Sequence, residues 1–261
     1  MATCPKRQYH REIYCSRQRN TPDQPATRMP ERVLVNVSPH QSVTAMVYPA
    51  AAKHRAGVTL ILGHGAGAGQ TSDFIVSFAS GLTTRGIDVV TFNFLYREQG
   101  RRIPDPNDKL EACYRAVIEA VREQMKSGHA ALAIGGKSMG GRIASQVAAA
   151  GIAELAGLVF LGYPLHTPGR PDRLRAKHLP SIRAPMLFVQ GSRDTFGIPD
   201  ELRPIVISLD PPADLYVVGG GDHSFKVRKG AGVSQENVYR AIQDHIAAWL
   251  HEMVAVRRAR R

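Results

Sequence analysis

AALAIGGKSMGGRIASQVAAA, residues 130–150, reads as a buried strand, a sharp turn and a helix in immediate succession. An apolar run ending at Gly135 enters Gly136-Lys137-Ser138-Met139-Gly140-Gly141, and an alanine-rich segment follows. This is G-x-S-x-G in a strand–turn–helix context, the pattern of a nucleophile elbow. Such a turn holds the serine in a strained backbone conformation that only small neighbours allow, and it exposes the hydroxyl above a sheet at a helix N-terminus. Gly136 and Gly140 supply the clearance. The five-residue pattern is a weak signal alone, and its flanking elements carry the reading.

Outward from the elbow, the chain alternates strand-like runs with helical patterns. Val33–Val37 and Val43–Tyr48 are short β-rich runs around a Ser-Pro-His-Gln-Ser turn, as in an antiparallel hairpin. Unbroken apolar runs follow at 58–63, 87–94, 130–136, 155–162, 184–191 and 213–220, which suits strands buried on both faces. Between them, Leu110, Cys113, Tyr114, Val117, Val121 and Met125 form one helical face, and Val238, Ile242, Ile246, Trp249 and Leu250 form another. The expected architecture is α/β: a mostly parallel sheet opened by an N-terminal antiparallel hairpin, with helices on both faces. Catalytic residues should then sit at the strands' carboxyl ends.

A serine hydroxyl is a poor nucleophile until a base takes its proton and a third group fixes that base. Behind an elbow of this kind the acid follows a later strand and the histidine follows the last one. After LFVQG comes Ser192-Arg193-Asp194, and after LYVVGGG comes Asp222-His223-Ser224. Taken singly, Asp194 is as readily a turn-capping carboxylate and His223 an exposed loop residue. In this order they make a triad of Ser138, His223 and Asp194. Asp222 competes as the acid, but a residue adjacent to the base seldom points back at its ring. The developing oxyanion needs backbone donors: the Met139 amide, and one from His64-Gly65-Ala66-Gly67-Ala68-Gly69, assigned to Ala66 with Gly65 as the neighbouring choice.

Charge narrows the functional classes. The formal net charge is +12, but residues 1–28 hold six Lys/Arg against two acids, 164–184 five against one, and 257–261 four against none. The remainder is balanced, so a globally nucleic-acid-binding face is unsupported. Residues 1–30 lack hydrophobic periodicity and read as a disordered basic arm. One domain is expected over 31–254, with a basic insertion at 164–184 and a frayed basic tail at 255–261. The insertion reads as a solvated surface or as a cationic rim for acidic substrates, with His166 and His178 as rim residues. No run reaches the roughly 18 apolar residues of a spanning helix. Cys4, Cys15 and Cys113 give neither a disulfide framework nor metal-ligand spacing. A cytoplasmic protein needing no metal or cofactor is expected.

Two glycine patterns mimic other chemistry. Gly63-x-Gly65-x-x-Ala68 after a strand resembles a dinucleotide fingerprint, but the next strand reads TFNF where an acidic ribose ligand is wanted. Gly136-Lys137-Ser138 resembles the end of a phosphate loop, but Ala131, five residues before Gly136, lies inside an apolar strand.

The strings GHGAGAG, GGKSMGGR, YPLHTPGRPDRLRAKHLP, LFVQGSRD and GGGDHSF resemble the dienelactone-hydrolase-like branch of the α/β hydrolases over about residues 31–253. That branch includes testis-expressed hydrolase-like proteins and a subunit of the NSL chromatin complex. The resemblance implies the α/β-hydrolase fold and the same triad of Ser138, Asp194 and His223. Dienelactone hydrolases themselves use a cysteine where this chain has Ser138, so lactone specificity is not implied. The expectation is a serine hydrolase acting on a small carboxylic ester or thioester through an acyl-serine intermediate. The alternative is an interaction module of the same fold with little or no activity.

Overall fold

The computed structural model describes residues 29–51, 55–125, 131–152, 154–228, 230 and 232–259. Eight strands form one sheet: β1 (Glu31–Ser38), β2 (Gln41–Tyr48), β3 (Val58–Gly63), β4 (Asp88–Phe92), β5 (Ala131–Lys137), β6 (Leu155–Leu161), β7 (Met186–Gly191) and β8 (Asp214–Val218). Their spatial order is β1-β2-β4-β3-β5-β6-β7-β8. β1 pairs antiparallel with β2 and β2 with β4, and every later pairing is parallel. The sheet is therefore mostly parallel with an antiparallel hairpin at one edge, as expected. The hairpin runs further than its apolar core suggested. Glu31 pairs with Val47 and Ser38 with Gln41, because ladder hydrogen bonds do not require apolar side chains at the strand ends.

β3, β5, β6 and β7 are covered on both faces, and alternate side chains enter two cores. Ile61, Ile134, Phe160 and Phe188 face one, while Leu60, Leu62, Val159 and Val189 face the other. The first core is roofed by α3 (Asn107–Met125), α4 (Met139–Ala149) and α5 (Pro199–Ser208), the second by α1 (Asp73–Thr83) and α6 (Gln235–Ala259). A four-residue α2 (Leu95–Glu98) follows β4. On α3, Leu110, Cys113, Tyr114, Val117 and Val121 are buried, while the Met125 side chain lies outside the described residues. On α6 all five residues of the expected face are buried.

The expected arm falls outside the described residues up to position 28. The C-terminal basic segment differs from its expectation. α6 continues to Ala259, and Arg257 donates to the Glu154 carbonyl at 2.8 Å. Cations on a last helical turn meet the negative end of the helix dipole, which favours continued winding over fraying.

β3 is the switch point of the sheet, since the chain passes from it to β4 on one side and β5 lies on the other. The crevice beyond the carboxyl ends of β3 and β5 is where such sheets bind ligands. Among the described residues no helix is long and apolar enough to cross a membrane.

Candidate active site

Ser138 stands between β5 and α4 with φ 52° and ψ −115°, a backbone conformation costly for a residue with a Cβ. Two glycines make it tolerable. A Cβ on Gly136 (φ 158°) would collide with the Gly63 carbonyl and the Gly140 backbone, and one on Gly140 would collide with Gly63. The elbow thus packs directly on the end of β3. The serine hydroxyl is left at the mouth of the crevice, beside the first turn of α4.

Two groups far away in sequence meet it there. His223 Nε2 lies 2.8 Å from Ser138 Oγ, and His223 Nδ1 lies 2.9 and 2.7 Å from the two carboxylate oxygens of Asp194. Asp194 is fully buried just past β7, while the His223 side chain, past β8, is 22% exposed. The Asp194 carboxylate accepts from Gln190 Nε2 at 2.8 Å and from the Phe196 N–H at 2.9 Å. Two fixed donors and the imidazole thus hold the carboxylate in place. Asp222 points elsewhere, accepting from the backbone N–H groups of Ser224 and Lys226 at 2.8 and 2.9 Å. The geometry therefore separates the two candidate acids. Phe196 covers one face of the His223 ring, with centroids 4.3 Å apart.

The loop after β3 reaches the same point: a Cβ on Gly65 would lie 3.7 Å from that of Ser138. Its backbone is oriented by two side chains. His64 Nδ1–H donates to the Gly65 carbonyl at 2.8 Å while its Nε2 accepts from the Phe94 N–H at 3.1 Å, and Tyr96 donates to the Ala66 carbonyl at 2.8 Å. A trans peptide directs its N–H opposite to its C=O, so anchoring the Gly65 carbonyl also fixes the Ala66 N–H. Met139, the first residue of α4, has an N–H without an acceptor inside the helix. Gly65, Ala66, Ser138, Met139 and His223 all line one cavity of about 560 Å³.

A family model described as an alpha/beta hydrolase domain matches residues 56–251. The chain belongs to that family. Solved structures with the same fold include an α-β serine hydrolase homologue from Coxiella burnetii, 19% identical, covering 88% of this chain and 99% of that one at a TM-score of 0.64. A dienelactone hydrolase from Anabaena variabilis is 19% identical over 86% of this chain and 99% of that one, with a TM-score of 0.66. A soluble variant of monoglyceride lipase from Saccharomyces cerevisiae is 15% identical over 89% and 98%, with a TM-score of 0.69.

Several residues that shape the site of this α/β hydrolase escape a sequence reading. Gln190 and His64 sit inside runs that read as apolar strand and glycine loop, so their contacts are invisible without coordinates. Burial pushes the His64 imidazole down to about 4, keeping it neutral in its structural role. Lys137, the residue before the serine, is buried, and its Nζ has no hydrogen-bond partner among the described residues. Burial pushes its ammonium down to about 8 against the pull of Asp194 and Asp222.

The insertion 164–184 is not a solvated rim throughout. His166 is buried and its Nε2 lies 3.3 Å from the Glu201 carboxylate. His178 Nε2 lies 2.7 Å from Ser145 Oγ. Because Ser145 donates to the Arg142 carbonyl at 2.7 Å, it must accept from His178. Among the described residues no carboxylate bonds to the His178 ring of this second Ser–His pair, and Ser145 is fully buried. It ties the insertion to α4.

Proposed function

We propose that this α/β hydrolase cleaves carboxylic esters or thioesters through an acyl-Ser138 intermediate. Ser138 Oγ attacks the substrate carbonyl carbon as His223 Nε2 takes its proton. The oxyanion is held by the N–H groups of Met139 and Ala66, with Gly65 as the neighbouring donor. Collapse breaks the C–O or C–S bond, and His223 returns the proton to the leaving group. Water then attacks the acyl-serine by the same route and restores the free enzyme. Asp194 holds His223 in the Nδ1–H tautomer and stabilises the imidazolium. None of these steps involves a metal or a cofactor.

The observation that carries this reading is the continuous hydrogen-bonded chain from Ser138 through His223 to Asp194, at 2.8 and 2.7 Å, on a strained elbow lining a cavity. Turnover of short p-nitrophenyl esters tests it. Replacing Ser138 by alanine should lower kcat/KM by about a thousandfold or more, and equal rates for the two proteins reject the mechanism. A fluorophosphonate probe separates this reading from an interaction module of the same fold, because only an activated serine is labelled. Assignment to the dienelactone-hydrolase-like branch rests on the sequence strings quoted above. We also propose a cytoplasmic location, supported by the lack of a disulfide framework and tested by cell fractionation.

A further inference from the structure

Beyond the triad, the polar wall of the cavity is cationic: Lys137, Arg142 and Arg175 line it, with Asp105 as the acidic counterpart. Asp105 is engaged by Arg101 at 2.7 Å. Arg142, half-buried on α4, donates to two neutral amides, Gln146 Oε1 at 3.1 Å and Asn107 Oδ1 at 3.0 Å. Arg175 enters from the insertion and donates to Thr167 Oγ1 at 2.7 Å. Its backbone is tied on both sides, its N–H to the Leu165 carbonyl at 2.7 Å and its C=O to Tyr163 Oη at 2.9 Å. Neither guanidinium forms an ion pair with a carboxylate among the described residues. Burial, and next the nearby Arg175, hold Arg142 below the usual arginine range.

Arg142 is half-buried and Arg175 is exposed, and with both lining the cavity an entering anion would meet two guanidiniums that no carboxylate pairs directly among the described residues. Each has five donors in a planar fork suited to two-oxygen acceptors, and few are in use. Arg142 also stands one turn along α4 from the serine, its N–H bonded to the Ser138 carbonyl at 3.0 Å. Arg142 and Ser138 line the same cavity, so an anion held on Arg142 would share it with a substrate bound at the serine.

We propose that Arg142 and Arg175 form a carboxylate-binding subsite, and that the substrates are half-esters of short dicarboxylic acids. This rests on the serine-hydrolase reading above. A monoanion fits better than a phosphate dianion, because Asp105 presents in the same cavity a buried carboxylate oxygen that has no hydrogen-bond partner among the described residues.

The test compares mono-p-nitrophenyl glutarate with p-nitrophenyl pentanoate, which differ by a terminal carboxylate against a methyl group. The wild type should favour the glutarate ester in kcat/KM by tenfold or more, and Arg142→Gln or Arg175→Gln should each lower that preference about ten- to a hundredfold. Arg173→Gln, on the exposed insertion, should leave the preference within about twofold. Should Arg142→Gln lower both rates in proportion, its role is to join α3 to α4 and the subsite is overturned; a wild-type preference for the neutral ester overturns it as well.

Calorimetry on Ser138→Ala with monomethyl glutarate supplies a readout independent of turnover. Binding that weakens tenfold in the Arg142→Gln background supports the subsite even if neither ester is hydrolysed, a result that would reject only the hydrolase reading. Absence of binding, or tighter binding of inorganic phosphate, overturns the subsite.

Discussion

Gln190 is fully buried at the end of β7, and its amide nitrogen bridges the Asp194 carboxylate at 2.8 Å and the Gly197 carbonyl at 2.7 Å. Its amide oxygen accepts from the Tyr163 N–H at 2.9 Å. One side chain thus holds the carboxylate that in turn holds the imidazole. Replacing it by leucine removes a donor to a buried anion, worth about 1.5–3 kcal/mol. The expected outcome is a kcat on a simple ester lower by roughly ten- to a hundredfold with KM little changed. Equal kcat in the two proteins would show that the Phe196 N–H suffices. Ser138, Asp194 and His223 could be found from sequence because each stands at a strand end beside glycines, where chain order restricts the choices. Gln190 could not, because a polar residue one place inside an apolar run carries no local mark of which group it meets.

At the scale of the element, the elbow depends on a helix that the sequence presents only as amphipathic. Tyr114 of α3 is fully buried, and its hydroxyl accepts from the Gly135 N–H at 3.1 Å while its proton faces the carbonyls of Gly135 and Ile61 at 2.7 and 3.0 Å. A phenol oxygen therefore serves backbone groups of β5 and β3 immediately before the turn. Tyr114→Phe should lower stability by roughly 1–3 kcal/mol, since it leaves a buried N–H unpaired. A urea unfolding curve checks this: the midpoint should fall at constant slope, and an unshifted midpoint would mean that the strands satisfy each other without it. Periodicity revealed that Tyr114 faces the core but not that its hydroxyl has work there. α6 shows the converse, since Val238, Ile242, Ile246, Trp249 and Leu250 are all buried at the helical spacing read from the sequence.

For the whole molecule, pH couples to stability through histidines held neutral. Burial pushes His64 down to about 4, and burial with the nearby Arg142 does the same for His178. Unfolded, each titrates near 6.5. Between 6.5 and 4 the unfolded chain binds protons that the folded chain does not, so stability is full above 6.5 and is lost as pH falls toward 4. For His64 the loss is roughly 3 kcal/mol, and less for the more open His178. His166 works in the opposite sense: its bonds to the Thr167 carbonyl and Glu201 outweigh its burial and raise it, so its contribution is present at low pH and fades as pH rises. Thermal melts from pH 7.5 to 4.5 should show a falling Tm, with a shallower fall in His178→Gln; a flat Tm would refute this balance. None of this coupling is legible in sequence, because it depends on which histidines the packing seals. The strand order was equally hidden: alternation of strand and helix implies a parallel sheet, but which side of β3 each crossover takes is decided by long-range packing. That order puts β1 at the sheet edge opposite β8, four strand positions from the serine-bearing end of β5. With strands about 5 Å apart, this is roughly 20 Å of separation, and Met29 just ahead of β1 is 88% exposed. A bead coupled at position 29 would therefore immobilise the protein with its cavity mouth clear of the support.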